Sequence, residues 1–83
     1  MSSYDDILHW VKNYFATEYS TSPEFIGEVD TLSSFFFCDY VDRILLANAI
    51  ESDFDITVRD DDLYDWTTIG DITKSIFKME HNI

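Results

Sequence analysis

Residues 39–54 read Asp-Tyr-Val-Asp-Arg-Ile-Leu-Leu-Ala-Asn-Ala-Ile-Glu-Ser-Asp-Phe, and their spacing decides the fold class. At about 100° per residue, Leu46, Ala47, Ile50 and Phe54 fall in one quadrant, the core-facing stripe of an amphipathic helix. Asp39 is a good N-cap residue at its start. Val41, Ile44 and Leu45 lie on the other side, mixed with Asn48, Glu51 and Ser52. A helix apolar on two sides is either buried twice or keeps an exposed patch. Working outward, Thr68 with Asp71 three residues on caps a last helix whose buried stripe is Ile69, Ile72, Ile76 and Phe77. Residues 60–65, Asp-Asp-Asp-Leu-Tyr-Asp, suit a single short turn. At the other end, Ser3 and Asp6 cap a helix reaching about Glu18, with Tyr4, Ile7, Leu8, Val11 and Phe15 as its stripe, widened by Trp10 and Tyr14. No alternating run is long enough to be a strand, so the expected fold is all-α, with four helices of which the third is a stub.

Residues 19–38 form the long first connection, with one short turn expected after Pro23. A loop of this length is unusual in a compact domain, and Phe25, Leu32 and Phe36 are the side chains expected to pack it down. A chain of 83 residues has room for one core, so a single domain over 1–83 is expected.

The net charge is −12, yet 46% of the residues are hydrophobic and 17% aromatic, which speaks for a folded chain over a disordered acidic one. Phosphate binding needs clusters of Lys and Arg, so nucleic acid is not expected as a partner, and a protein with a basic or mixed basic and apolar patch is. Residues 39–65 hold nine of the seventeen acids and two of the five bases, which concentrates the charge on the middle of the chain. Cys38 is the only cysteine, so no intramolecular disulfide can form. Asp39 beside it opposes a reactive thiolate, leaving a small apolar side chain as its expected role. No stretch approaches the length of a membrane span and no export signal opens the chain, so a cytoplasmic protein without membrane partners is expected. His9 and His81 have no Cys or His at ligand spacing, so no metal is expected, and no pairing of nucleophile and base marks an enzyme.

Four helices with a stub third, a long first loop and an acidic second helix resemble the acyl carrier protein family. The resemblance rests on residues from Asp39 onward. Asp39-Tyr40-Val41-Asp42 stands where the family has Asp-Ser-Leu-Asp, and Ala49-Ile50-Glu51-Ser52-Asp53-Phe54-Asp55 is similar to Ala-Leu-Glu-Glu-Glu-Phe-Gly or Phe-Asp. Ile56-Thr57-Val58 followed by Arg59-Asp60-Asp61-Asp62 is similar to the short apolar link and acidic third helix, and Trp66-Thr67-Thr68-Ile69-Gly70-Asp71-Ile72 to Ile-Thr-Thr-Val-Gly-Asp-Val. The first half matches only by helix placement. The resemblance implies an acyl-carrier-type four-helix bundle and a place in fatty-acid, polyketide or related acyl metabolism.

It also sets out two departures. The family carries 4′-phosphopantetheine on the serine of Asp-Ser-Leu, and the aligned residue is Tyr40; the Leu-Gly just upstream reads Phe36-Phe37. A phenol on a rigid ring is no substitute for a primary alcohol at the same place, so no cofactor is expected. Ser33 and Ser34 could serve only by breaking the ungapped match. The family's partners meet an acidic stripe on the second helix. Here Asp42 and Glu51 keep acidic members of it, while Leu45 and Ser52 stand where glutamates are usual. Asp55 and Asp60 to Asp62 add charge beyond the helix. The candidate protein-binding residues are therefore Val41, Ile44 and Leu45 at the centre with Asp42, Glu51 and Asp55 around them, the composition of a binding patch with a polar rim. The expected function is a non-catalytic interaction or regulatory protein without a phosphopantetheine arm. A working carrier with an altered or displaced attachment site, and an acidic mimic of nucleic acid, stay open as alternatives.

Overall fold

The computed structural model describes residues 2–35 and 40–81. Four α-helices form among them: α1 Tyr4–Glu18, α2 Tyr40–Phe54, α3 Asp60–Asp65 and α4 Ile69–His81. The roles expected of Phe36, Phe37, Cys38 and Asp39, including the N-cap of α2, lie outside the described residues.

Both outer helices start where their caps place them. Ser3 Oγ accepts the Asp6 N–H at 3.1 Å, opening α1. At the head of α4, Thr68 Oγ1 accepts the Asp71 N–H at 3.1 Å and the Asp71 carboxylate accepts the Thr68 N–H at 3.0 Å, a reciprocal capping box. α1 and α4 lie against each other and bury Ile7, Val11 and Phe15 from one side and Ile69, Ile72 and Ile76 from the other. Thr73 is a buried polar residue of this core; its hydroxyl donates to the Ile69 carbonyl at 3.0 Å, one turn back, so it is not stranded. α2 adds Leu46, Ala47 and Ile50, and Phe54 sits half-buried at the core edge with its ring edge-on to Trp10.

The first loop is packed, though not by the side chains expected. A 3-10 turn over Pro23–Phe25 follows the proline, and a second one over Leu32–Phe35 was not legible in advance. Leu32 is buried as expected, but Phe25 is 75% exposed. The turn closes with the Ile26 N–H on the Pro23 carbonyl and puts Ile26 in the core, so its neighbour Phe25 points to solvent. Phe35 supplies the missing aromatic, with its ring 5.4 Å from that of Phe15.

The same loop is stitched to the start of α4, which answers how so long a connection stays ordered. The Gly70 N–H donates to the Glu28 carbonyl at 2.8 Å, the Ile69 N–H to Asp30 at 3.0 Å, and the Leu32 N–H to Thr67 at 2.9 Å, beside an isolated antiparallel bridge between Thr31 and Thr68. The first two satisfy N–H groups that a helix start leaves without intrahelical partners. The Tyr4 hydroxyl donates to the Glu28 carboxylate, and burial together with that carboxylate pushes the phenol up to about 12.

Gly70 is the tight point of this seam. A Cβ there would lie 3.0 Å from Glu28 Cγ and 3.1 Å from the Glu28 carbonyl oxygen, and that oxygen is held in place by the Gly70 N–H. Alanine in a helix gains up to about 1 kcal/mol over glycine, but forcing a carbon into a packed seam costs about 1–3 kcal/mol. Gly70→Ala is therefore expected to destabilise the fold by about 1 kcal/mol net, read from the urea midpoint. An unchanged or raised midpoint would show the loop yielding freely.

Candidate functional site

The site grows from the seam between α2 and α3. α2 ends at Phe54, and Asp55 after it takes a left-handed conformation (φ 54°) that Asp tolerates, with its N–H on the Glu51 carbonyl at 3.1 Å. The chain then runs extended to Arg59, and the Glu51 carboxylate accepts the Val58 N–H at 2.8 Å, holding this link against α2. Three aspartates open α3, where the positive end of the helix favours them. Its one buried side chain is Leu63. The far end of α3 is held from α2: Arg43 Nη1 donates to the Leu63 carbonyl at 2.5 Å and the Trp66 carbonyl at 2.8 Å. Trp66 is 1% exposed, and its indole N–H donates to Ser75 Oγ at 3.0 Å, tying the end of α3 to α4.

Above this seam sit two tyrosines. Tyr40 is the first residue of α2 and its ring stacks on Tyr64 of α3, with centroids 5.6 Å apart and planes 13° from parallel. Lost hydration, the Asp60 carboxylate and a hydrogen bond to the Tyr64 hydroxyl hold the Tyr40 phenol above its ordinary range. Both rings remain in contact with water, Tyr40 at 41% and Tyr64 at 68% exposed.

The six residues expected to form a binding patch do not all share one surface. Val41 and Leu45 are 64% and 56% exposed, one turn apart, and are flanked by exposed Asn48 and Ser52. Ile44 is half-buried and packs against the core. At about 100° per residue it lies near Tyr40 and Glu51, on the side of α2 that faces α3 and its lead-in. Glu51 is likewise taken up by the link, and Asp55 lies beyond the end of α2, exposed at the groove shared with α4. Asp42 is half-buried on the side towards α1, where it joins burial, Glu18 and Tyr19 in raising the Tyr14 phenol. The residues that do gather at the head of α2 are Tyr40, Val41, Leu45, Tyr64 and Asp60. Tyr64 escaped the sequence reading because its partner stands 24 positions away; its place in an otherwise acidic turn was the available signal.

Residues 9–76 match the family described as Phosphopantetheine attachment site. The chain belongs to that family. The match takes in α2 and α3 entire, with most of α1 and α4, so the phosphopantetheine attachment family accounts for the order of helices around this seam. The family is one of carrier-type, acyl-carrier-like domains. No curated protein matches the chain.

Elsewhere, a polar groove of about 930 Å³ runs between α3, its lead-in and α4. Arg59, Lys74 and Lys78 line it beside Asp55, Asp62 and Asp71, so three of the five bases gather there, on a surface other than that of the stacked tyrosines. Among the described residues no group of three or more His, Cys, Asp or Glu could hold a metal ion, and no helix is long and apolar enough to cross a membrane.

Proposed function

We propose that this member of the phosphopantetheine attachment family works without the arm, as a non-catalytic interaction or regulatory protein that binds another protein through the head of α2. One observation carries the reading: the residue at the first position of α2, where the resemblance puts the attachment serine, is Tyr40, and its ring is stacked on Tyr64. The group does not fit these residues. Transfer of a phosphopantetheinyl group needs a free primary alcohol that can be brought up to phosphorus, and positioning supplies most of the catalysis. The Tyr40 oxygen sits at the far end of a ring packed against Tyr64 and donates to its hydroxyl. The nearest serine hydroxyls upstream are engaged as well: Ser34 Oγ donates to the Thr31 carbonyl at 2.6 Å, and Ser33 Oγ lies 3.2 Å from Thr31 Oγ1.

What replaces the arm is surface. Val41 and Leu45 expose apolar area next to the tyrosines, the Asp60 carboxylate stands by Tyr40, and a protein with a basic and apolar face complements both. Association with an enzyme of acyl metabolism follows from the family, and a cytoplasmic location fits it.

The reading is tested by incubating the chain with a broad-specificity phosphopantetheinyl transferase and coenzyme A and taking the intact mass. No change is expected; a gain of one phosphopantetheine overturns it. Tyr40→Ser restores the alcohol but leaves Leu45 in place of the usual glutamate, so that variant is expected to be modified poorly.

A further inference from the structure

The proposed docking face carries a feature that says which cation it takes. Tyr64 occupies the third position after Asp61 and the fourth after Asp60, so all three lie on neighbouring ridges of α3. Asp60, Asp61 and Tyr64 are all exposed. The inner faces of Tyr40 and Tyr64 cover one another, which leaves the outer face of Tyr64 open to water, with Asp60 and Asp61 one turn back on the same helix.

Among the described residues, every Lys and Arg is placed elsewhere. Arg43 is spent on the carbonyls of Leu63 and Trp66, and Arg59 is paired with Asp62 at 3.6 Å. Lys74 and Lys78 stand in the groove beside α4, and Lys12 is on α1. A second copy of the chain is a poor occupant, because each carries −12 and the facing surfaces would repel. The complement has to be a cation on another protein.

Resting on the docking reading, we propose that the outer face of Tyr64 is the seat of a partner arginine: the guanidinium lies flat on the ring, its N–H groups reach Asp60 and Asp61, and apolar side chains of the same partner cover Val41 and Leu45. Carboxylates alone attract lysine and arginine alike. A flat aromatic face beside carboxylates discriminates, because a guanidinium is planar, weakly hydrated and forked, whereas an ammonium is a compact, strongly hydrated point charge.

The test uses two amphipathic helical peptides with the same leucines, one carrying arginines at its rim and the other lysines at the same positions. Each is titrated into the whole chain, with affinity and amide shifts read by NMR. The arginine peptide is expected to bind about two- to fivefold tighter, with shifts centred on Tyr40, Val41, Leu45 and Tyr64. Tyr64→Leu keeps the charge and the apolar surface and alters an exposed residue; it should bring the two peptides to equal affinity, while Tyr64→Phe keeps the preference. Equal affinities for the unaltered protein, or a preference that survives Tyr64→Leu, overturn the arginine seat. If equal affinities come with shifts still centred on α2 and α3, the docking reading stands without it. Shifts confined to other surfaces, or none, overturn both.

Discussion

Trp66→Ala should lower the free energy of unfolding by about 3–5 kcal/mol, the range for truncating a fully buried aromatic. The indole is 1% exposed and stands between α3 and α4, with its N–H on Ser75 Oγ at 3.0 Å. Removing it empties a large volume that the rest of the close-packed core cannot refill, because its helices are already fixed by their own packing. Against the roughly 5–15 kcal/mol that hold a typical domain together, one such loss is a large fraction. Urea unfolding followed by circular dichroism measures it, and the midpoint should fall with little change in slope. Trp66→Phe separates the two contributions: it keeps much of the bulk and gives up the bond to Ser75, so it should cost less than the alanine variant. A loss below about 1 kcal/mol for Trp66→Ala would place the indole outside the core.

The second large effect belongs to Arg43. Its guanidinium holds two carbonyls at the end of α3, a helix of six residues from Asp60 to Asp65 and too short to stand by itself. Arg43→Met keeps the stem and removes the charged donor, and the two carbonyls must find water or stay unpaired. A hydrogen bond to a charged group is worth about 1.5–3 kcal/mol, so a loss of that order is expected. Its distribution is the more telling part. Amides of α3 should lose protection from hydrogen exchange well before those of α1 and α4, and the Tyr40–Tyr64 stack should loosen with them, since Tyr64 meets α2 through its ring and hydroxyl contacts with Tyr40. Uniform loss of protection across the four helices would mean that α3 is secured chiefly by Leu63. By the same logic, Arg43→Met should weaken the arginine preference proposed for Tyr64 without changing any residue on that surface.

Much of this molecule is written in short-range signals. Ser3 with Asp6, and Thr68 with Asp71, bond across three residues, so their side chains mark the starts of α1 and α4 in any context that permits a helix. The periods of Ile7, Val11 and Phe15, and of Ile69, Ile72 and Ile76, name their own buried faces. The stub at 60–65 follows from three acids ahead of one buried leucine. The acyl-carrier resemblance of residues 39–72 agrees with the family match over 9–76.

α2 shows where such signals stop. Its pattern is apolar on two sides, and no local rule says that Ile44 is half covered while Leu45, the next residue, is 56% exposed. That depends on where α3 lies, and α3 is placed by Arg43, Glu51 and Trp66 acting on residues 7 to 23 positions away. The loop repeats the point on a smaller scale, with Ile26 inside and Phe25 outside according to how one turn closes. Adjacent residues and spacing along one helix are enough to set the helices, the caps of α1 and α4, the family and the absence of a serine in Asp39-Tyr40-Val41. Packing between helices set that Tyr40 would meet Tyr64, that Glu51 would hold the link after α2 and that Asp42 would stand near Tyr14. A side chain's neighbours from another helix are chosen by packing, and packing is a property of the whole chain.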